Sequence, residues 1–172
     1  MILLDATAFT LLVNPTAVPP LDPETGQPVI RAAERFAHLE SEVQRTSDTI
    51  IIPTPVLAEV LVGLGDAGPA VLERIGRSAR FKIAEFDMMA AVEVAAMTRD
   101  AIRAGDKKDG SASSWQKVKI DRQIIAIARV RSVERIYSDD KGVAAFAAKI
   151  GLTVVPTWSM PLPPEDPQPG LF

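Results

Sequence analysis

Asp5, Glu59, Asp121, Asp139 and Asp140 are spaced so that an α/β sheet would bring them toward one end. Asp5 closes the apolar run Met1-Ile2-Leu3-Leu4, and Asp139-Asp140 closes Arg135-Ile136-Tyr137. Glu59 and Asp121 fall in helix-like segments between them. The chain has no cysteine and a single histidine, His38. Thiol nucleophiles, Cys-ligated zinc and His-rich metal sites are therefore excluded. Catalytic work by these acids would have to run through metal-bound water.

Each acid also has a local explanation, and at this level both stand. Asp5 is a good N-cap for a helix that follows a strand directly. The Asp139-Asp140 pair suits a turn and cap before a helix at Gly142. Glu59 lies at the margin of the apolar face formed by Val56, Leu57, Val60, Leu61 and Leu64, where a solvated glutamate is ordinary. Asp121 is harder to explain this way. At 100° per residue it shares a helical stripe with Ile124, Ile125 and Ala128, so its carboxylate lies within the apolar side. A buried charge needs a partner, because desolvation costs several kcal/mol or forces protonation. That partner is Lys, Arg or a metal. If the acids converge they also raise one another's pKa, and hard cations such as Mg²⁺ or Mn²⁺ take oxygen ligands without Cys or His.

The elements that must position these groups follow from the hydrophobic pattern. With 172 residues, 47% of them hydrophobic, the chain can build one domain with a substantial core. Ile2–Leu4 reads as a buried parallel strand, followed by a short helix from Thr7 to Val13. Five prolines between Pro15 and Pro28 predict a long loop. A helix is expected from Ile30 to about Arg45, a strand at Thr49–Ile52, and a helix beginning at Pro53-Thr54-Pro55 and running through Leu64. Gly63, Gly65 and Gly68 end it and lead to a helix at Pro69–Arg77. Phe81–Phe86 predicts a marginal strand, and Met88–Ala104 a helix. A hydrophilic loop from Gly105 to Ser114 comes next, then a helix at Gln116–Arg131. The strand Arg135–Tyr137, the helix Gly142–Lys149 and the strand Leu152–Val155 complete the expected domain, 1–155. Six prolines in Pro156–Phe172 predict an extended tail. Alternating strands and helices imply a three-layer α/β/α fold around a parallel sheet of four to five strands, with ligands bound beyond the strands' carboxyl ends.

The net charge of −3 argues against nucleic-acid binding through the overall field. Locally the balance reverses: Arg99 to Arg135 carries ten Lys or Arg against five Asp or Glu. Lys107, Lys108, Lys117, Lys119 and Arg122 lead into Asp121 and are candidates for phosphate contacts, with a solvated helix face as the equal alternative. Trp115 offers a stacking surface for a base or an anchor for its loop. The first thirteen residues lack a basic leader and contain Asp5. No run of about 18 apolar residues is evident, so no membrane contact is expected and the expected location is cytoplasmic.

Taken in order, four motifs resemble those of the PIN domain, and within it the VapC-like toxins of toxin–antitoxin pairs. They are Ile2-Leu3-Leu4-Asp5-Ala6-Thr7; Pro53-Thr54-Pro55-Val56-Leu57-Ala58-Glu59-Val60; Asp121-Arg122-Gln123-Ile124-Ile125-Ala126-Ile127-Ala128; and Ile136-Tyr137-Ser138-Asp139-Asp140. The resemblance spans Met1 to Val155. It departs from the family's pattern at Ala6, in the proline loop, and in the inserted Gly105–Ser114 loop. It implies a metal-dependent endoribonuclease using Mg²⁺ or Mn²⁺, with Asp5, Glu59, Asp121 and Asp140 as metal ligands and Asp139 as a fifth acid. Thr7 and Ser138 would support the ligands or position water, and Lys117, Lys119 and Arg122 would contact an RNA substrate. A cognate antitoxin is implied, and a homodimer is expected. Without a second histidine, cleavage through the 2′-hydroxyl by paired imidazoles is not available, so the products should be a 5′-phosphate and a 3′-hydroxyl. The alternative is a PIN-like binding or scaffold module without cleavage. A receiver domain and a haloacid-dehalogenase-like phosphatase are disfavoured, since the first strand offers Asp5 alone and Asp5-Ala6-Thr7 lacks the second acid.

Overall fold

A computed structural model describes residues 1–164. Five parallel strands, β1 (Ile2–Leu4), β2 (Ile50–Pro53), β3 (Phe81–Ala84), β4 (Arg135–Tyr137) and β5 (Thr153–Val155), lie in the order β3-β2-β1-β4-β5. Leu3 pairs with Ile51 on one side and Ile136 on the other. β1 and β2 are buried throughout, as expected of strands covered on both faces, and β3 at the edge is buried only at its ends. Seven helices flank the sheet: α1 (Ala6–Val13), α2 (Ala32–Thr46), α3 (Thr54–Leu64), α4 (Gly68–Arg77), α5 (Met88–Arg103), α6 (Trp115–Val130) and α7 (Lys141–Lys149). The core joins Ile2, Leu4, Phe9, Phe36, Ile50, Ile52, Ile125, Ile127, Ile136 and Phe146, all nearly inaccessible. The α/β parallel-sheet expectation holds, and element ends differ from the expected ones by one or two residues.

Strand order decides where the site is. The chain runs outward from β1 through β2 to β3, then returns to the other flank of β1 as β4 and β5. The order therefore reverses between β1 and β4, and the crevice beyond their carboxyl ends is the natural ligand position of such a sheet. Asp5 follows β1 and Ser138-Asp139-Asp140 follows β4, so both open onto it.

Three segments carry more structure than their composition suggests. The proline loop is held by an antiparallel bridge between Leu21 and Pro28 and by Asp22, whose Oδ1 accepts the Glu24 amide at 2.8 Å. Within Thr54–Arg77 an 18-residue window reaches a mean hydropathy of 1.4, so the stretch is long and apolar enough to cross a membrane by length and composition alone, although Glu59 and Asp66 interrupt its apolar run. The backbone leaves the helix at Gly65, where φ is +50°. The result is an 11-residue and a 10-residue helix, each short of the ~20 residues a bilayer needs, with Val56, Val60 and Ile75 in the core. The expected tail is docked where it begins: Thr157 and Met160 are buried, and the Met160 carbonyl accepts a hydrogen bond from Arg35 Nη1. Residues 165–172 of that tail lie outside the described residues.

Candidate metal centre

Asp5 caps α1: its Oδ1 accepts the Ala8 amide at 2.8 Å. Cap and site coexist here, because the residue also lines a cleft of about 290 Å³ with Thr7, Glu59, Lys117, Ile120, Asp121 and Asp140. Asp5 is 5% exposed. Burial pushes its carboxyl up to about 7, opposed by hydrogen bonds from Ser138 and the Ala8 amide and reinforced by the charges of Asp139 and Asp140. Ser138 is buried, and its Oγ also accepts the Asp140 amide at 3.1 Å, so one hydroxyl ties the ends of β1 and β4 together.

Asp140 caps α7. Its Oδ1 accepts the Gly142 and Val143 amides at 2.6 and 3.2 Å, which leaves Oδ2 facing the cleft. Burial would raise its pKa, but the Lys117 ammonium and the two amides outweigh it, and the carboxyl is held below its usual value. Asp121 enters from α6 and is 2% exposed. Burial raises its pKa against the opposing pull of Lys117, and the charges of Asp140 and Glu59 add to the rise. The sequence demanded a partner for Asp121, and the structure supplies Lys117. The lysine's Nζ is 3.1 Å from Asp121 Oδ1 and 2.6 Å from Asp140 Oδ2. Glu59 comes from α3 on the far wall and is exposed, as is Thr7.

The donor set fits a hard divalent cation in kind, being all oxygen and mostly carboxylate. Among the described residues Asp121 Oδ2 is buried without a hydrogen-bond partner, as are Arg122 Nε and Nη2, and each such orphan costs ~1–3 kcal/mol. Asp121 Oδ2 lies against Gly142, where an added Cβ would stand 2.5 Å away. Glycine at this position therefore gives the carboxylate its room. Among the described residues, no three acids or imidazoles are already gathered around one ion position; Lys117 stands between two of the four.

Asp139 and Arg122 are placed elsewhere than expected. Asp139 turns away from the cleft: Oδ1 accepts the Thr157 amide at 2.7 Å and Oδ2 its hydroxyl at 2.6 Å. Both oxygens fasten the segment after β5, so Asp139 is a clasp and not a fifth ligand. Arg122 is not a surface cation for RNA. It is 1% exposed, its guanidinium carbon lies 5.7 Å from the Trp115 ring centroid and 5.2 Å from that of Phe146, and its Nη1 donates to Thr98 at 3.1 Å. Trp115 packs on the core with Lys107 also over its ring, and thus anchors its loop. Lys108 is occupied by the Ser113 carbonyl at 2.8 Å. Lys119 remains exposed. Truncating Arg122 to alanine should cost about 3 kcal/mol through lost packing. Denaturant unfolding checks this, with Lys119→Ala expected to leave stability unchanged.

Gly142 and Thr157 were not singled out from the sequence. The only available hints were a glycine two residues after an N-cap aspartate and an isolated threonine 18 residues beyond Asp139.

No protein-family model matches the chain, and no curated protein matches it by sequence. Solved structures do. The VapBC2 complex of Rickettsia felis, bound to a DNA fragment from its promoter, covers 91% of this chain and 98% of its own, with TM-score 0.57 and 14% identity. DNA-bound VapBC of Salmonella typhimurium covers 91% and 97%, with TM-score 0.56 and 14% identity. VapC20 of Mycobacterium tuberculosis, a toxin that cleaves the sarcin–ricin loop, covers 85% and 95%, with TM-score 0.50 and 14% identity. The chain has the PIN-like fold of these proteins.

Proposed function

We propose that this protein is a metal-dependent endoribonuclease, the toxin of a type II toxin–antitoxin pair, acting in the cytoplasm as a homodimer held in check by a cognate antitoxin. The observation that carries the reading is that Asp5, Glu59, Asp121 and Asp140 line one cleft at the reversal of strand order. The likeness to VapC structures supports it at the level of fold.

Mg²⁺ or Mn²⁺ held by these four acids would lower the pKa of bound water and stabilise charge on the scissile phosphate and leaving oxygen. The chain's own contribution is placement. Ser138 holds Asp5 and the start of α7 in one arrangement. Lys117, with the Val143 and Gly142 amides, keeps Asp140 ionised, and the amides hold Oδ1 so that Oδ2 is turned inward. Thr7 stands at the rim, where its hydroxyl can orient water or substrate, and Lys119 offers a phosphate contact that carries no base information.

End-group analysis of the cleaved RNA tests the chemistry. Fragments should carry a 5′-phosphate and a 3′-hydroxyl and form only with Mn²⁺ or Mg²⁺ present. A 2′,3′-cyclic phosphate would refute attack by water. One observation favours the alternative of a non-cleaving PIN-like module: Lys117 already neutralises two of the four acids. In that case no fragments form with any divalent ion.

A further inference from the structure

Lys117 is the third residue of α6, within a turn whose N-terminal end carries partial positive charge and prefers acids. An i,i+4 pair is also the weaker one when the cation precedes the anion. Helix physics thus gives no reason for a lysine here. The carboxylates do, since the ammonium is held 2.6 Å from Asp140 Oδ2 and 3.1 Å from Asp121 Oδ1.

The oxygens of these two acids can be accounted for one by one. Asp140 Oδ1 is taken by the amides of α7. Asp140 Oδ2 and Asp121 Oδ1 are taken by Lys117, and Asp121 Oδ2 is enclosed against Gly142. A divalent ion held by Asp121 and Asp140 would therefore compete with Lys117 for their carboxylates. Two cations cannot share them, because like charges a few Å apart in a half-buried cleft repel by several kcal/mol.

We propose that Lys117 is a tethered counter-cation of the cleft. Its ammonium neutralises Asp121 and Asp140 in the metal-free protein and is displaced when a divalent ion binds, so that it sets the metal affinity of the site. This rests on the metal-dependent reading given above. Lys117 is a positioning residue in this role, and the lysine's side chain, 46% exposed, has open solvent to swing into.

Calorimetric titration with Mn²⁺ alone tests it on the full chain. Lys117→Met should bind Mn²⁺ more tightly, on the order of tenfold or more in Kd. Lys119→Met, which removes the same charge from an exposed site with no acid in contact among the described residues, should change Kd less than about twofold because of screening. In EDTA the Lys117→Met protein should melt earlier than wild type and recover on adding Mn²⁺. Should that variant fail to fold, wild type decides the matter: the Lys117 ε-methylene NMR resonance, identified by its loss in Lys117→Arg, should move during a Mg²⁺ titration with the midpoint of binding. An unchanged Kd in Lys117→Met, or a resonance indifferent to Mg²⁺ while binding proceeds, overturns the proposal and leaves the metal centre standing. No Mn²⁺ binding by wild type or variant at millimolar concentration overturns both.

Discussion

Asp121→Asn should abolish RNA cleavage while leaving the protein folded. The loss should be on the order of a thousandfold or more, equivalent to ~4 kcal/mol of transition-state stabilisation. The substitution keeps the shape of the side chain but removes the charge a divalent ion requires from it. Folding should suffer little. The native carboxylate is 2% exposed with one oxygen unpartnered, and burial already disfavours its ionised form. Exchanging it for an amide loses the Lys117 ion pair but relieves the desolvation of a charge, so the two effects oppose. Thermal unfolding in EDTA should shift by a few degrees at most, while gel analysis of RNA incubated with Mn²⁺ shows no fragments. A variant that still cleaves would remove Asp121 from the metal centre; one that unfolds would make its pairing with Lys117 a requirement of the fold.

The second large effect is a pH dependence of stability originating at Asp5. Its carboxyl rises from 3.8 to about 7 on folding, chiefly through burial. A raised acid pKa means the native state holds the proton more tightly than the unfolded chain. The stabilisation linked to Asp5 is therefore fully present below pH 3.8 and is lost as pH climbs through about 7. A shift of this size corresponds to roughly 4 kcal/mol. Asp5→Asn, which retains a side chain competent to cap α1, should remove that dependence. In EDTA the variant should gain stability relative to wild type between pH 4 and 7, with the difference levelling off above. Mn²⁺ should offset the loss in wild type, and more strongly toward pH 8, because the ion takes the place of the proton. Chemical denaturation at a series of pH values measures both, and a wild-type-to-variant difference independent of pH would show that Asp5 titrates normally.

How far the site is legible without coordinates differs from residue to residue, for physical reasons. Apolar runs and proline or glycine punctuation were enough to locate the strands and helices, because burial on two faces leaves a plain mark on a parallel sheet. Asp121 announced itself because a carboxylate on an apolar stripe violates the helix pattern. Arg122, its neighbour, misled by its type. Its charge suggests solvent, whereas its place between Trp115 and Phe146 depends on another helix arriving from later in the chain. Asp139 and Asp140 are adjacent and chemically alike, yet only Asp140 faces the cleft. Thr157 claims both oxygens of Asp139, and nothing local reports a partner 18 residues away. Gly142 illustrates the same limit. A glycine after a cap is unremarkable until the carboxylate that occupies the space of its missing side chain is seen.

The role proposed for the cleft, a metal-dependent nuclease centre, is tested most directly by one cleavage assay, run side by side on rigorously purified wild-type and Asp5→Ala proteins with labelled RNA. Wild type should cut in Mn²⁺ and stop in EDTA, and Asp5→Ala should not cut in either. Undiminished cleavage by the folded Asp5→Ala protein would contradict the assignment of activity to this site.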